Sequence, residues 1–106
     1  MIKVALFVRL EAKPEKSEEV ERFLRSGLPI VQQEHETLAW FAIRFGPTTF
    51  GIFDAFSNEA GRQAHLAGLV AASLMAKASE LFESPPVIES IDVIASKLPQ
   101  LEASFR

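Results

Sequence analysis

An α+β fold, in which a four-stranded antiparallel sheet carries its helices on one face, is what this sequence predicts, and three observations predict it. Residues 2–10 alternate aliphatic and other side chains with a period of two. Residues 14–31 carry an apolar stripe at helical spacing. Two aromatic-rich stretches, 37–45 and 50–56, flank a Gly-Pro-Thr-Thr turn. With a second helical region and a closing β-branched run, the order becomes strand, helix, strand, strand, helix pair, strand. That is the ferredoxin-like βαββαβ (split βαβ) arrangement.

In strand one, Ile2, Val4, Leu6, Val8 and Leu10 share one face, and Lys3, Ala5, Phe7, Arg9 and Glu11 share the other. Pro14 opens the first helix, and Glu15, Glu18 and Glu19 set negative charge at the positive end of its dipole. Val20, Phe23, Leu24, Leu28 and Val31 form its stripe. Pro29 removes a backbone donor inside it, so a kink or break is expected around Gly27 and Pro29. Gly46-Pro47-Thr48-Thr49 joins strands two and three as a hairpin. Ser57 or Asn58 can cap a short helix that reaches about Leu66, and Gly68 can end it. Residues 69–82 make an Ala-rich helix marked by Leu69, Leu74, Ala78, Leu81 and Phe82, with Met75 expected in the core. Pro85 and Pro86 stop that helix, and residues 87–95 read as the last strand. One domain over residues 1–98 is expected, followed by residues 99–106 as a tail or a dimer-crossing arm.

A chain of 106 residues can bury a single core without disulfides or metals. Nine Phe, one Trp and no Tyr give it aromatic surface that almost wholly lacks a polar handle and must be buried. Helices on one face of the sheet leave the other uncovered. Phe7 and one set from Trp40, Phe41, Phe45, Phe50, Phe53 and Phe56 must point there, and so apolar a patch predicts a homodimer joined sheet to sheet. The net charge of −3 and eleven scattered Lys and Arg argue against a nucleic-acid partner. The lack of Cys excludes disulfides, thiolate metal sites and thiol nucleophiles. No apolar run is long enough to span a bilayer, so no membrane partner is expected, and the lack of a signal-peptide pattern favours the cytoplasm.

The stretch Phe53-Asp54-Ala55-Phe56-Ser57-Asn58-Glu59-Ala60-Gly61-Arg62-Gln63-Ala64-His65-Leu66 resembles the strand-to-helix signature of the antibiotic-biosynthesis-monooxygenase family. In that family an acidic residue and an aromatic two positions later end the third strand, and a His follows on the next helix. The opening strand, Pro14 and the Glu-rich helix start are also similar to it, so the resemblance spans residues 2 to about 97. It implies a dimeric α+β barrel and a cofactor-independent monooxygenase or oxidase that acts on a small aromatic such as a quinol or anthrone. Relatives on the same scaffold include haem-degrading enzymes and isomerases, and a non-enzymatic ligand-binding dimer is the alternative. The haem-degrading relatives use a third-strand Trp and a His late in the second helical region. Here Phe56 holds the aromatic position, and residues 69–82 contain no His.

Oxygenation without a cofactor needs a base, a dry apolar pocket and donors for a developing oxyanion. An unperturbed imidazole titrates near neutrality, so His65 is the candidate base, or else it anchors its helix to the sheet by a hydrogen bond. Trp40 can stack on an aromatic ring or donate its indole N–H. Arg44, on the same strand face, can hold an enolate or pair with an acid. Asp54 interrupts an apolar strand and needs a partner, which Arg62, Arg44 or His65 can supply. Phe53, Phe56 and Arg62 complete the set as substrate contacts. His35 reads as a solvated loop residue, and two His without ligand spacing predict no metal site.

Overall fold

In a computed structural model, residues 1–99 are described. The expected tail from residue 100 onward lies outside the described residues. Strand β1 (Val4–Glu11) is central and pairs antiparallel with β3 (Thr49–Phe56) on one side and β4 (Val87–Asp92) on the other. Strand β2 (Thr37–Arg44) lies outside β3, giving the order β2-β3-β1-β4. Helices α1 (Ser17–Val31), α2 (Glu59–Leu66) and α3 (Leu69–Leu81) complete the ferredoxin-like order that the hydrophobic periods predict.

The period of two decides what each sheet face carries. Leu10, Val8 and Leu6 stand in register with Phe50, Ile52 and Asp54, and all six project toward the helices. There Val8, Leu10, Phe50 and Ile52 meet Val20 and Leu24 of α1 and Leu74 and Leu81 of α3 in one buried cluster. The opposite face carries a row across three strands, in which Phe53 stands between Phe41 and Phe7. Phe45 packs edge to face on Phe7, with ring centroids 6.3 Å apart, and the Arg9 guanidinium carbon lies 4.3 Å from its ring centre. Phe41 and Phe45 are each about half exposed. The aromatic set left open is thus Phe7, Phe41, Phe45 and Phe53, while Trp40, Phe50 and Phe56 turn inward.

Several local expectations are corrected. Helix α1 runs through Pro29 as one element. Pro29 sits in the last turn, where the donor it lacks would have bonded the carbonyl of Arg25, an exposed residue whose carbonyl water can reach. Gly68 ends α2 as expected, its N–H donating to the His65 carbonyl at 3.0 Å, and it also stands at the N-cap of α3. Strand β4 ends at Asp92, short of residue 95. Met75 and Leu69 are exposed, not core: of the expected marks Leu74, Ala78, Leu81 and Phe82 do pack inward, and Val70 takes the place of Leu69. Leu28 of α1 is also exposed, at a cleft described below. Among the described residues no helix is long and apolar enough to cross a membrane.

Candidate functional site

Asp54 occupies the middle of β3, opposite Leu6 on one side and Trp40 on the other, and is 2% exposed. A carboxylate in that position needs a donor. Helix α2 brings one: His65 Nε2 lies 3.0 Å from Asp54 Oδ2. The placement of α2 starts at Asn58, whose side chain accepts the Gly61 N–H at 2.9 Å and fixes the first turn. Gly61 then permits close approach to the loop before β2, since a Cβ there would lie 3.2 Å from Glu36 Cβ. That approach brings Glu34 to the far side of the imidazole, with Glu34 Oε1 2.6 Å from His65 Nδ1. Thr37 Oγ1 donates to the same carboxylate oxygen at 2.8 Å.

Both ring nitrogens of His65 therefore face carboxylate oxygens, an arrangement that favours the doubly protonated imidazolium. Burial opposes that charge, but the hydrogen bonds to Asp54 and Glu34, with the charges of both carboxylates, outweigh it and raise the pKa above the ordinary imidazole value. An imidazolium so held has no lone pair with which to take a substrate proton. This geometry favours the reading of His65 as an anchor of α2 on the sheet over that of a base. Phe56 packs beneath the ring, with centroids 5.5 Å apart. Among the described residues Asp54 Oδ1 is buried without a partner, and so is the indole Nε1 of Trp40, the residue directly opposite it.

A cleft of about 580 Å³ opens between α1 and β2. Leu24, Leu28, Trp40 and Phe50 give it an apolar wall, and Glu21, Arg25 and Arg44 line its polar side. Glu21 Oε2 accepts from Arg25 Nη2 at 2.8 Å and Nε at 3.1 Å, and Glu21 Oε1 accepts from Arg44 Nη2 at 3.1 Å. Hydrogen bonds from Arg25, then the charges of Arg25 and Arg44, hold the Glu21 carboxyl below its ordinary pKa. Two smaller pockets lie beside Trp40 and Asp54. A cavity of about 40 Å³ shares Trp40 and Leu24 with the cleft. A third, of about 20 Å³, shares Ile52 and Val70 with the second and is lined by Asp54 and His65. The smaller two can each hold water but no aromatic ring.

The structure thus brings Trp40 and Arg44 together at the cleft, and Asp54 and His65 at the smallest pocket. It does not bring Phe53, Phe56 or Arg62 to any of these three spaces. Phe53 lies on the open sheet face, Phe56 is wholly buried, and Arg62 donates from Nη1 to the carbonyls of Ala5 at 3.1 Å and Ile91 at 3.2 Å, with Nη2 paired to Glu59. The three therefore have no contact with the cleft, because the strand period and the α2 anchor direct them elsewhere. Sequence reasoning missed Glu34, which no local pattern marks. It also missed Glu21 and Arg25, where the spacing of four on a helix was the available signal. His35 is exposed. Among the described residues no group of His, Asp and Glu converges on a point suited to a metal ion.

Comparison with known proteins finds no matching family model and no matching curated protein. Among solved structures, one described as an antibiotic biosynthesis monooxygenase shares 17% identity over 87% of this chain and 99% of that one, with a TM-score of 0.75. PA3566 from Pseudomonas aeruginosa shares 16% identity over 90% and 97%, with a TM-score of 0.77. Identities this low establish the common fold. A third structure, the NE2512 protein of unknown function from Nitrosomonas europaea, is 58% identical over 94% of this chain and 97% of its own, with a TM-score of 0.91. At that identity and coverage the relationship is one of family, and the chain belongs to the family of NE2512.

Proposed function

We propose that this protein oxidises a small electron-rich aromatic, a quinol or an anthrone, with dioxygen and without a cofactor, in the cleft between α1 and β2. The observation that carries the reading is the pair of buried, unpartnered polar atoms on directly opposed residues, the donor Trp40 Nε1 and the acceptor Asp54 Oδ1. Buried polar atoms are normally satisfied. Water between them would accept from the indole and donate to the carboxylate, and would carry a proton from the Trp40 wall of the cleft to Asp54.

In this reading Asp54 is the base, acting through water, and His65 and Glu34 are positioning residues that hold it with Oδ1 free. Trp40 offers a ring for stacking, and Arg44 supplies positive charge to the deprotonated substrate. For an anthrone the balance closes without a further reductant. The ring methylene loses a proton, and the carbanion passes an electron to dioxygen. Recombination gives a peroxide, and loss of water from it leaves a carbonyl. One oxygen atom enters the product and the other leaves as water, with all electrons supplied by the substrate. The low-identity fold likeness to a structure described as an antibiotic biosynthesis monooxygenase supports the same class of reaction.

Oxygen uptake over a panel of anthrones and quinols tests this. Wild type should consume oxygen, and Asp54→Asn, which keeps the shape and removes the base, should lose at least about 100-fold in rate. Uptake unchanged in Asp54→Asn would overturn the assignment of the base. Stoichiometric binding with no uptake in wild type would favour the ligand-binding alternative.

A further inference from the structure

The cleft's polar residues are arranged for more than a phenolate. Among the described residues Arg44 makes one hydrogen bond, from Nη2 to Glu21 Oε1, so its Nε and Nη1 donors have no protein partner. Its guanidinium carbon lies 4.7 Å from the centre of the Phe50 ring, so the fork is fixed from below by the ring and from one side by Glu21. Glu21 accepts three N–H groups from Arg25 and Arg44, so this carboxylate is already engaged and leaves the two guanidiniums in excess by one positive charge. Nη2 keeps a second N–H that runs parallel to a free N–H of Nε or Nη1, and such a pair on a planar cation is suited to a planar anion with two acceptor oxygens.

Spacing gives the second half of the argument. Trp40 and Arg44 project from the same face of β2 four residues apart, which separates their Cα atoms by about 13 Å. The surface between them is apolar, supplied by Ala42 and Phe50 of the sheet and by Leu24 and Leu28 of α1. Two or three fused aromatic rings with a substituent at each end match that span.

From this charge excess, the free donors of Arg44 and the apolar span to Trp40, we infer that the ligand of the cleft is a fused-ring aryl carboxylate, its carboxylate on the Arg44 fork and its rings toward Trp40. The inference rests on the cleft being the substrate site, as proposed above. It adds a specificity rule that cofactor-free oxidation does not itself require: the molecule must carry an anionic group remote from the carbon that reacts.

The protein has a single Trp, so one indole N–H resonance in a 15N-labelled sample reports the cleft without ambiguity. Full-length protein is titrated at pH 7 with 2-naphthoate and, separately, with the uncharged isostere 2-naphthamide. The naphthoate should move the Trp40 resonance and bind about tenfold more tightly than the amide, as expected for a partly exposed charge-assisted pair. Arg44→Gln should bring the two affinities together. Equal affinities in wild type, with the resonance moving in both titrations, would overturn the carboxylate assignment and leave the cleft as the site. A preference that survives Arg44→Gln would overturn the role of Arg44. Failure of both probes to move Trp40 would overturn the carboxylate assignment together with the cleft.

Discussion

Gly27 of α1 and Trp40 of β2 are fitted to each other: a Cβ built on Gly27 would lie 3.4 Å from Trp40 Cζ2 and 3.5 Å from Cη2. Nε1 lies on the same edge of the indole as Cζ2, so the contact with α1 also sets where the unpartnered N–H is held. A methyl group just fits this space, and Ala is the better helix former by about 1 kcal/mol. Gly27→Ala should therefore leave the Trp emission maximum unchanged and hold or raise the denaturation midpoint. Gly27→Leu must displace the indole and should shift its emission to the red while weakening ligand binding in the cleft. An unchanged spectrum in Gly27→Leu would contradict the fit.

His65 makes stability depend on pH in a defined direction. Its folded pKa is raised above the ordinary imidazole value. The stabilisation is therefore fully present below the unfolded value near pH ~6.5 and is lost as pH rises through the raised folded value. Urea denaturation across pH 5.5 to about 9 should show falling stability that His65→Gln flattens. His65→Ala, which leaves two carboxylates facing a vacated site, should cost about 3 kcal/mol or more. A wild-type profile that rises with pH over this window would refute the imidazolium assignment.

The open sheet face should be covered by a second copy of the chain. Its central row, Phe41, Phe53 and Phe7, with Phe45 packed on Phe7, is too continuous an apolar surface for an isolated sheet in water. Light scattering at micromolar concentration should return twice the chain mass of 11.7 kDa. Phe41→Glu, at a half-exposed position of the edge strand, should return the monomer mass.

Outward positions on α3 should be permissive. Met75 and Leu69 are 53% and 69% exposed, so Met75→Lys and Leu69→Lys should each change stability by less than about 0.5 kcal/mol. Leu74→Ala, one residue away and 3% exposed, should cost about 2 to 5 kcal/mol. Thermal melts of the three variants decide this.

The hydrophobic alternation of β1, the capping Asn58 and the polar turn between β2 and β3 are local signals, and they made the order of elements legible. The need of Asp54 for a partner was legible too, from one acid in an apolar strand. Which residues complete the array was not. Glu34 reaches His65 from 31 positions away, and only the packing of α2 against the loop at Glu36 joins them. Nor could alternation say which face Trp40 takes. The register of β2 shifts between Thr37 and Ala39, and a shift of one residue exchanges the faces of a strand. On α3, runs of Ala, Ser and Leu allow more than one apolar stripe, and the mates supplied by β1 and α1 decide between them.

Arg62 has a consequence for how the molecule assembles. Its guanidinium joins Ala5, 57 residues before it, to Ile91, 29 residues after it. The fork can close only when β4 has added to β1. Contacts between parts of the chain so far apart form slowly, because the intervening loops must be closed first. Docking of α2 is thereby tied to the pairing of β4 with β1, and α2 carries His65. His65, and with it the bridge from buried Asp54 to Glu34, is thus clamped by contacts that join the first and last strands of the sheet.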